Sequence, residues 1–197
     1  MLSVSTPEDD GASARPYHHG DLKAALLAAA GKLLVEKGEA GISLREVARR
    51  AGVSHNAPYR HFPDRDSLLA ALAAEGFDEL SERSRQADEL AGLGQCYVAF
   101  ALEQPGRFAL MFSPGLDKSR HPELQAAALQ LFDLLREAVR QAAPKRDVQI
   151  ATLAAWSLVH GLSQLLLDRQ LSETLFGEQP ADALSEQVTR LFTEGLG

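Results

Sequence analysis

SLREVARRAGVSHNAPYRHF, residues 43–62, is the stretch of this sequence that decides its fold. Ser43 is a good N-cap for a short helix, and Glu46 completes a capping box by reaching back to the Ser43 amide. Gly52 suits the left-handed backbone conformation that ends such a helix. Ser54 is a second N-cap, and a further short helix follows to the end of the stretch. Two short helices around a glycine-containing turn are typical of a helix-turn-helix, whose second helix enters the DNA major groove.

The second helix of this pair contains an internal proline and many polar side chains. Pro58 lacks an amide and would cost roughly 3 kcal/mol in mid-helix, whereas the first turn tolerates it. We therefore expect this helix to start late or irregularly, with Ala57 and Phe62 facing inward. The alternative interpretation of its polar side is a solvated face of a small helical domain. The polar residues within these eight positions are Ser54, His55, Asn56, Tyr59, Arg60 and His61.

The residues around this motif resemble the N-terminal signature of the TetR/AcrR family of bacterial transcriptional regulators. The matching groups are Tyr17-His18-His19-Gly20-Asp21-Leu22, Ser43-Leu44-Arg45-Glu46-Val47-Ala48, Val53-Ser54, Tyr59-x-His61-Phe62 and Asp64-Arg65-Asp66-x-Leu68. The resemblance is specific over residues 17–72. A shorter pattern, Trp156-x-x-x-His160-Gly161, is similar to the C-terminal domain of the WHG-type branch of that family. The resemblance implies an N-terminal three-helix head, joined by a long helix to a helical body that binds a ligand and dimerises.

Composition independently favours an all-α chain. Hydrophobic residues make up 45% of the 197 positions, alanine and leucine dominate, and β-branched runs are scarce. We expect a disordered N-terminal arm at residues 1–16, a helix-turn-helix domain at 17–63 and a helical body at 64–197. The first 14 residues are polar and acidic rather than a secretory signal, and a single cysteine fits a reducing cytoplasm.

The charge distribution favours a nucleic-acid partner for one end of the chain. The net charge is −7, yet residues 15–65 hold nine basic against five acidic side chains. Residues 66–197 hold 11 basic and 19 acidic side chains. A basic end on an acidic body suits a protein that presents one face to phosphate. Arg15 is a candidate for a minor-groove contact from the arm.

Apolar periodicity and proline positions outline the remaining helices. Asp21 is the predicted cap of the first helix, which ends at Gly38, and Asp64 caps a long helix to about Asp88. Further helices are expected at Ala91–Gln104, Pro122 to Ala143, Val148–Leu167 and Pro180–Glu194. Pro105-Gly106 should stop the first of these. Phe108–Phe112 is expected to be a short apolar segment, and Ser172–Gln179 a loop.

Val148–Leu167 has no charged residue, which raises the question of a membrane span. Polar side chains interrupt it, so we interpret it as a helix buried on several sides, one of them against a second subunit. Together with the last helix it would form a four-helix homodimer interface. The candidate interface residues are Leu158, Leu162, Leu165, Leu184, Val188, Leu191 and Phe192.

A ligand pocket is predicted inside the body. Trp156 and His160 share a helix face. The candidate lining residues are Cys96, Phe100, Met111, Phe112, Phe132, Trp156 and His160. The alternative for each of them is ordinary core packing. The effector is expected to be a small molecule that is apolar in part; no metal or cofactor is predicted, because His18-His19 lacks an accompanying carboxylate or cysteine cluster.

Three functions remain open on the sequence. The first is a dimeric, ligand-responsive repressor that binds a near-palindromic DNA operator. His55 and Asn56 would contact base edges, and Arg60 would contact either a base or the DNA backbone. The residues expected at the DNA backbone are Ser43, Arg45, Tyr59, His61 and Arg65, with Ser54 beside them. The second is an enzyme using Cys96 with His121 or His160, which no motif supports. The third is a helical small-molecule or protein binding module without specific DNA binding.

Overall fold

The computed structural model describes residues 19–172, 177 and 179–196, and within these ranges it contains eight α-helices and no strand. The helices are α1 (His19–Lys37), α2 (Leu44–Ala51), α3 (Arg65–Ser84), α4 (Leu90–Glu103), α5 (Pro105–Met111), α6 (Pro122–Ala142), α7 (Val148–Leu167) and α8 (Ala181–Glu194). Three short 3₁₀ turns occur at Glu39–Gly41, Pro58–Arg60 and Lys118–Arg120. The all-α prediction is confirmed. The predicted arm and Arg15, together with most of the predicted loop 172–179, lie outside the described residues.

Two glycines and a serine cap set the ends of the first two helices. Gly38 and Gly52 follow α1 and α2 with φ of 67° and 69°, the left-handed region that favours glycine. The Ser43 hydroxyl accepts a 3.2 Å hydrogen bond from the Glu46 amide, as predicted. The other half of the predicted capping box is wrong, because Glu46 instead accepts hydrogen bonds from Lys37 and Arg49. Two cations close to one carboxylate attract it more strongly than a neutral amide does.

The second helix of the motif is reduced to a single 3₁₀ turn at Pro58–Arg60. The late, irregular start is confirmed, whereas the predicted α-helix from Ser54 is not formed. Pro58 has no amide to donate, so Ser54 accepts a 2.9 Å bond from the Ala57 amide and the chain turns before Pro58. Pro58 and Phe62 are both buried, and they fix this turn against the head.

Helix α3 runs from the head into the body. Its capping box is complete: the Ser67 amide donates to the Asp64 carboxylate at 2.7 Å, and the Asp64 amide donates to the Ser67 hydroxyl at 3.2 Å. α3 ends at Ser84, four residues before the predicted end. Its buried residues belong to one hydrophobic core that extends from Leu26 on α1 to Leu162 on α7.

The remaining boundaries follow the sequence with two corrections. Asp21 does not cap α1, because that helix already begins at His19. Pro105 follows the end of α4, as predicted, but it also opens α5 three residues before the predicted Phe108–Phe112 piece, because proline is compatible with the first helical position, where an amide has no partner. α7 has the predicted bounds and, among the described helices, is the one long and apolar enough to cross a membrane by length and composition. It packs against α4 and α6 and buries six of its 20 residues.

Gly94 on α4 tests how closely the body helices are packed. A Cβ at this position would lie 2.7 Å from Thr189 on α8 and 3.1 Å from Val159 on α7. We expect Gly94→Ala to lower the free energy of unfolding by about 1–3 kcal/mol through overpacking. Urea denaturation measures this loss.

Gly31→Ala on α1 is the matched control. A Cβ there meets nothing closer than 3.5 Å, the end of the flexible Arg107 side chain. Alanine should therefore be neutral or stabilise the helix by about 0.5–1 kcal/mol. Equal losses in the two variants would contradict the close approach at Gly94.

Candidate DNA interface and ligand cavity

The head presents one exposed face built from α2 and the Pro58–Arg60 turn. Arg45 is exposed on α2, one position after the buried Leu44. On the turn, Tyr59 is 52% exposed, an unusual position for a large aromatic side chain without a partner surface. The predicted DNA contacts that lie exposed on this face are Ser43, Arg45, Ser54, His55, Asn56, Tyr59 and Arg60.

Positive charge on this face is not neutralised by the acidic residues of the head. Those residues are paired elsewhere, in the ion pairs Glu36–Arg50, Glu46–Lys37, Glu46–Arg49 and Glu39–Arg65. Hydrogen bonds from Arg49 and Lys37 hold the pKa of Glu46 at about 2, so it stays ionised with its partners. Within the described part of the chain, Arg45 and Arg60 have no acidic partner within 4 Å. Two unpaired guanidinium groups therefore lie where the sequence predicts contact with DNA.

Two predicted contacts are oriented differently from the others. Arg65 donates to the carbonyl of Ile42 at 2.9 Å and to that of Glu39 at 2.7 Å, which ties the start of α3 to the segment before α2. His61 is partly buried, and its Nε2 is enclosed without a hydrogen-bond partner among the described residues. The geometry gives Arg65 a structural role in addition to the predicted phosphate contact.

The body contains a partly open cavity of about 400 Å³ between α3, α4, α6, α7 and α8. Of the predicted lining residues, Phe112, Phe132 and Trp156 line it. Phe100 and Met111 are fully buried in the core instead, and neither Cys96 nor His160 reaches the cavity wall. An apolar side chain in a helical stripe does not by itself distinguish a cavity wall from the core, which is why the sequence prediction mixes both.

A buried polar cluster lies behind the cavity wall. The Tyr97 hydroxyl lies 2.8 Å from Nδ1 of His160 and accepts a 3.4 Å hydrogen bond from Nε1 of Trp156. Burial raises the pKa of Tyr97 and lowers the pKa of His160, so both side chains stay neutral. His160 also packs edge-on against Phe112, with ring centroids 4.9 Å apart. His160 thus orients two aromatic residues of the wall without lining it. Tyr97 itself does line the cavity, and the sequence prediction missed it.

The residues predicted for the dimer interface divide into two groups. Leu165 and Leu191 are 44% and 73% exposed. Leu162 and Val188 pack into the core of their own chain, while Leu158 and Phe192 line the cavity and Leu184 is partly buried. Ile150 and Leu153, which the sequence prediction missed, are 65% and 54% exposed on α7. Ile150, Leu153 and Leu165 continue one helical stripe.

Family models match both parts of this architecture. Residues 26–72 match the model described as bacterial regulatory proteins, tetR family, and residues 90–191 match the tetracyclin repressor-like C-terminal domain. A helix-turn-helix head on a helical body with an apolar cavity defines a class, that of the DNA-binding transcriptional regulators. The second model alone covers more than half of the chain. The chain belongs to the TetR family, and the sequence resemblance is confirmed.

Individual relatives agree with this assignment. The HTH-type transcriptional regulator EthR of Mycolicibacterium smegmatis is 30% identical over 194 residues, covering 91% of this chain and 86% of EthR. An HTH-type transcriptional regulator of Mycobacterium tuberculosis is 30% identical over 89 residues, covering 40% of this chain. This chain spans only 38% of the length of that relative.

Solved structures show the same fold. A protein of unknown function from Rhodococcus sp. RHA1 superposes with a TM-score of 0.77 and 32% identity, over 92% of this chain and 98% of the other. FadR of Bacillus subtilis superposes with a TM-score of 0.65 and 16% identity, over 87% and 98% of the two chains. At that identity the FadR match concerns the fold alone.

Replacing Arg65 separates its structural role from a phosphate contact. We expect Arg65→Met to lower the free energy of unfolding by about 1–2 kcal/mol, because two backbone carbonyls lose their charged donor. Arg45→Met, which removes an exposed guanidinium of similar length, should change it by less than about 0.5 kcal/mol. Urea unfolding of the two variants makes the comparison. An unaltered midpoint for Arg65→Met would show that the carbonyl contacts do not stabilise the head.

Proposed function

We propose that the protein is a homodimeric transcriptional repressor that a small, largely apolar molecule releases from a near-palindromic operator. The observation that supports it most directly is the exposed face of the head, where Arg45 and Arg60 keep their charge free and Tyr59 and Asn56 stand in solvent. The protein acts in the bacterial cytoplasm and performs no catalysis of its own.

The head recognises DNA with a short, rigid turn rather than a long helix. His55 and Asn56 precede the Pro58–Arg60 turn and approach base edges, where asparagine suits adenine. Arg45, Tyr59 and Ser54 bind the phosphate backbone and fix the register, and Ser43 and His61 lie beside them. In a two-fold dimer the two turns enter successive major grooves about 34 Å apart.

Dimerisation uses the exposed apolar stripe of α7 together with α8. Ile150, Leu153 and Leu165 lie on α7, and Leu191 lies on α8. Burying such side chains against a second copy is worth about 1.5–3 kcal/mol each when burial is complete. An isologous interface of two helices from each subunit uses all four residues on both sides.

Two structural links transmit the effect of a ligand in the cavity to the head. Phe77 on α3 lines the cavity, and α3 continues to the head. The Lys118–Arg120 turn leads to His121 and α6, whose Glu123 forms a 3.4 Å ion pair with Lys23 on α1. The pKa of Asp64, at the start of α3, is lowered first by hydrogen bonds from Ser67 and further by electrostatic interaction with the segment before α6. A ligand that prefers one spacing of the two heads shifts the equilibrium by its difference in affinity for the two states.

The character of the effector follows from the cavity wall, which is almost entirely apolar and aromatic. FadR of Bacillus subtilis, which shares the fold, has been solved in complex with stearoyl-CoA, itself a ligand with a long apolar part. A cavity of about 400 Å³ is within the range of small-molecule sites.

Substituting the exposed face tests operator binding. Arg45→Ala should weaken binding to the upstream intergenic DNA and reduce the slope of log K against log salt by about one for each lost phosphate contact. Tyr59→Ala should weaken binding by about 1 kcal/mol through one lost hydrogen bond. Fluorescence anisotropy at two salt concentrations measures both effects, and circular dichroism confirms that the variants are folded.

Arg136→Ala on α6 is the control, since Arg136 is also exposed but pairs with Asp133 in the body. It should bind DNA like the wild type. Full operator affinity in both head variants would refute the proposed interface.

A charge on the α7 stripe tests the dimer. We expect Leu165→Glu to weaken self-association by about 2–5 kcal/mol, because an unpaired carboxylate would be buried at the interface. Val35→Glu, at a position 87% exposed on α1, should leave the dimer intact. Sedimentation velocity measures the mass of each variant. A Leu165→Glu protein that remains dimeric would place the interface elsewhere.

A further inference from the structure

The cavity wall carries a single charge. Of the described residues that line it, Lys118 alone is ionisable to a cation or an anion near neutral pH, and the rest are apolar, aromatic, amide or hydroxyl side chains. Lys118 belongs to the short 3₁₀ turn before α6, and it is partly buried. A single lysine in an apolar wall indicates a binding role, because burying a charge costs free energy unless the charge is paired.

Lys118 has no acidic partner in its own chain. Within the described residues, its ammonium forms no ion pair within 4 Å and no hydrogen bond. It lies instead over two rings of the wall, 5.8 Å from the centroid of Phe77 and 5.9 Å from that of Phe112. Burial lowers the pKa of Lys118, as expected of an ammonium without a counter-ion. The aromatic faces position the charge at the cavity while leaving its hydrogen-bond donors available.

The wall of the cavity runs along α6, with Lys118 and Gln125 at the end where α6 begins, while the hydroxyl residues Ser84, Thr189 and Thr193 line it from α3 and α8. Gln125 lines it in the first turn of α6, close in sequence to Lys118, and Leu129, Phe132 and Leu135 continue the wall. From Gln125 to Leu135 the helix rises by about 15 Å. The first turn of α6 also carries the positive end of the helix dipole. The wall therefore combines a cationic, amide-lined end with a long apolar channel.

We infer that the effector of this regulator is an elongated apolar monocarboxylate, such as a fatty acid, whose carboxylate pairs with Lys118 while its hydrocarbon chain lies along α6. Only the regulatory role of this ligand rests on the proposed function. The binding site itself is formed by residues of the body and does not depend on DNA binding. Gln125 provides an amide donor to the second carboxylate oxygen.

The single charge distinguishes a free acid from its thioester with coenzyme A. A thioester carbonyl is neutral and gives Lys118 no counter-ion, while the phosphates of the coenzyme need several cations. Lys118 is the one cation that the described wall supplies. The chemistry of the wall thus favours a carboxylate.

The position of Lys118 also gives the carboxylate a route to the DNA-binding head. The turn that carries Lys118 leads into α6, whose Glu123 forms an ion pair with Lys23 on α1. A ligand that pulls Lys118 towards the cavity acts on the same segment that contacts the head. The charged end of the ligand is therefore the part that biases the head.

Binding of decanoate to the purified full-length protein tests the inference. Trp156 is the sole tryptophan of the chain and lines the cavity, so its fluorescence reports occupancy directly, with calorimetry as a second readout. The probes share one chain length: decanoate, 1-decanol, decyltrimethylammonium and decanoyl-CoA. We expect wild-type protein to bind decanoate on the order of 10–100-fold more tightly than decanol, the ratio that a charged hydrogen bond provides.

Variants at Lys118 assign the preference to its charge. Lys118→Met should remove the advantage of decanoate over decanol while leaving decanol affinity unchanged, and Lys118→Arg should restore most of it. Lys145→Met, at an exposed lysine away from the cavity, is the matched control and should behave as the wild type.

Several results would overturn the inference: equal affinity for decanoate and decanol, tightest binding of the ammonium or of decanoyl-CoA, or an unchanged decanoate preference in Lys118→Met. Because these titrations contain no DNA, they are independent of operator binding. Decanoate selectivity without operator binding would contradict the proposed function and leave this inference standing. Operator binding without decanoate selectivity would contradict this inference and leave the proposed function standing.

Discussion

Burial along one helix holds the molecule together and connects its two functions. α3 packs its apolar residues against α1 in the head and against α4, α5 and α6 in the body, and the resulting core is continuous. Leu68, Leu72 and Leu80 are completely buried along its length. Because this core is continuous along α3, the helix joins the packing of the head to the packing of the body. The capping box at Asp64 fixes the point where this helix begins.

Unpaired positive charges occur both in the head and in the body. In the head, Glu36, Glu39 and Glu46 pair with Arg50, Arg65, Lys37 and Arg49, which leaves Arg45 and Arg60 of the proposed DNA interface without an acidic partner among the described residues. In the body, one lysine is held over aromatic rings with no acidic partner among the described residues. Both sites present a cation whose partner is expected from outside the chain. In the proposed mechanism, the DNA operator and the ligand would each supply the anion for one of these two sites.

Much of the fold is predictable from local sequence signals, and the cavity is predictable only in part. Asp64, Gly38, Gly52 and Pro122 act on the backbone next to them, so the ends of α1 and α2 and the starts of α3 and α6 follow from single residues. Pro105 shows the limit, because proline both ends one helix and opens the next. The wall of the cavity depends on contacts between distant parts of the chain: Tyr97 and His160 are 63 residues apart. Lys118 stands in a Pro-Gly-rich segment that gives no periodic signal, so only the folded chain shows that it faces an apolar space.

The proline in the recognition turn has a thermodynamic consequence for DNA binding. Its ring fixes φ near −65°, and burial of Pro58 and Phe62 immobilises the turn on the head before any DNA arrives. A reading element that is already ordered loses little backbone entropy when it enters a groove. Such a preorganised surface adapts poorly to a groove of different shape. In the proposed complex, the rigidity that limits the entropy loss on the correct site would also penalise incorrect sites, so the backbone would contribute to discrimination together with the base contacts.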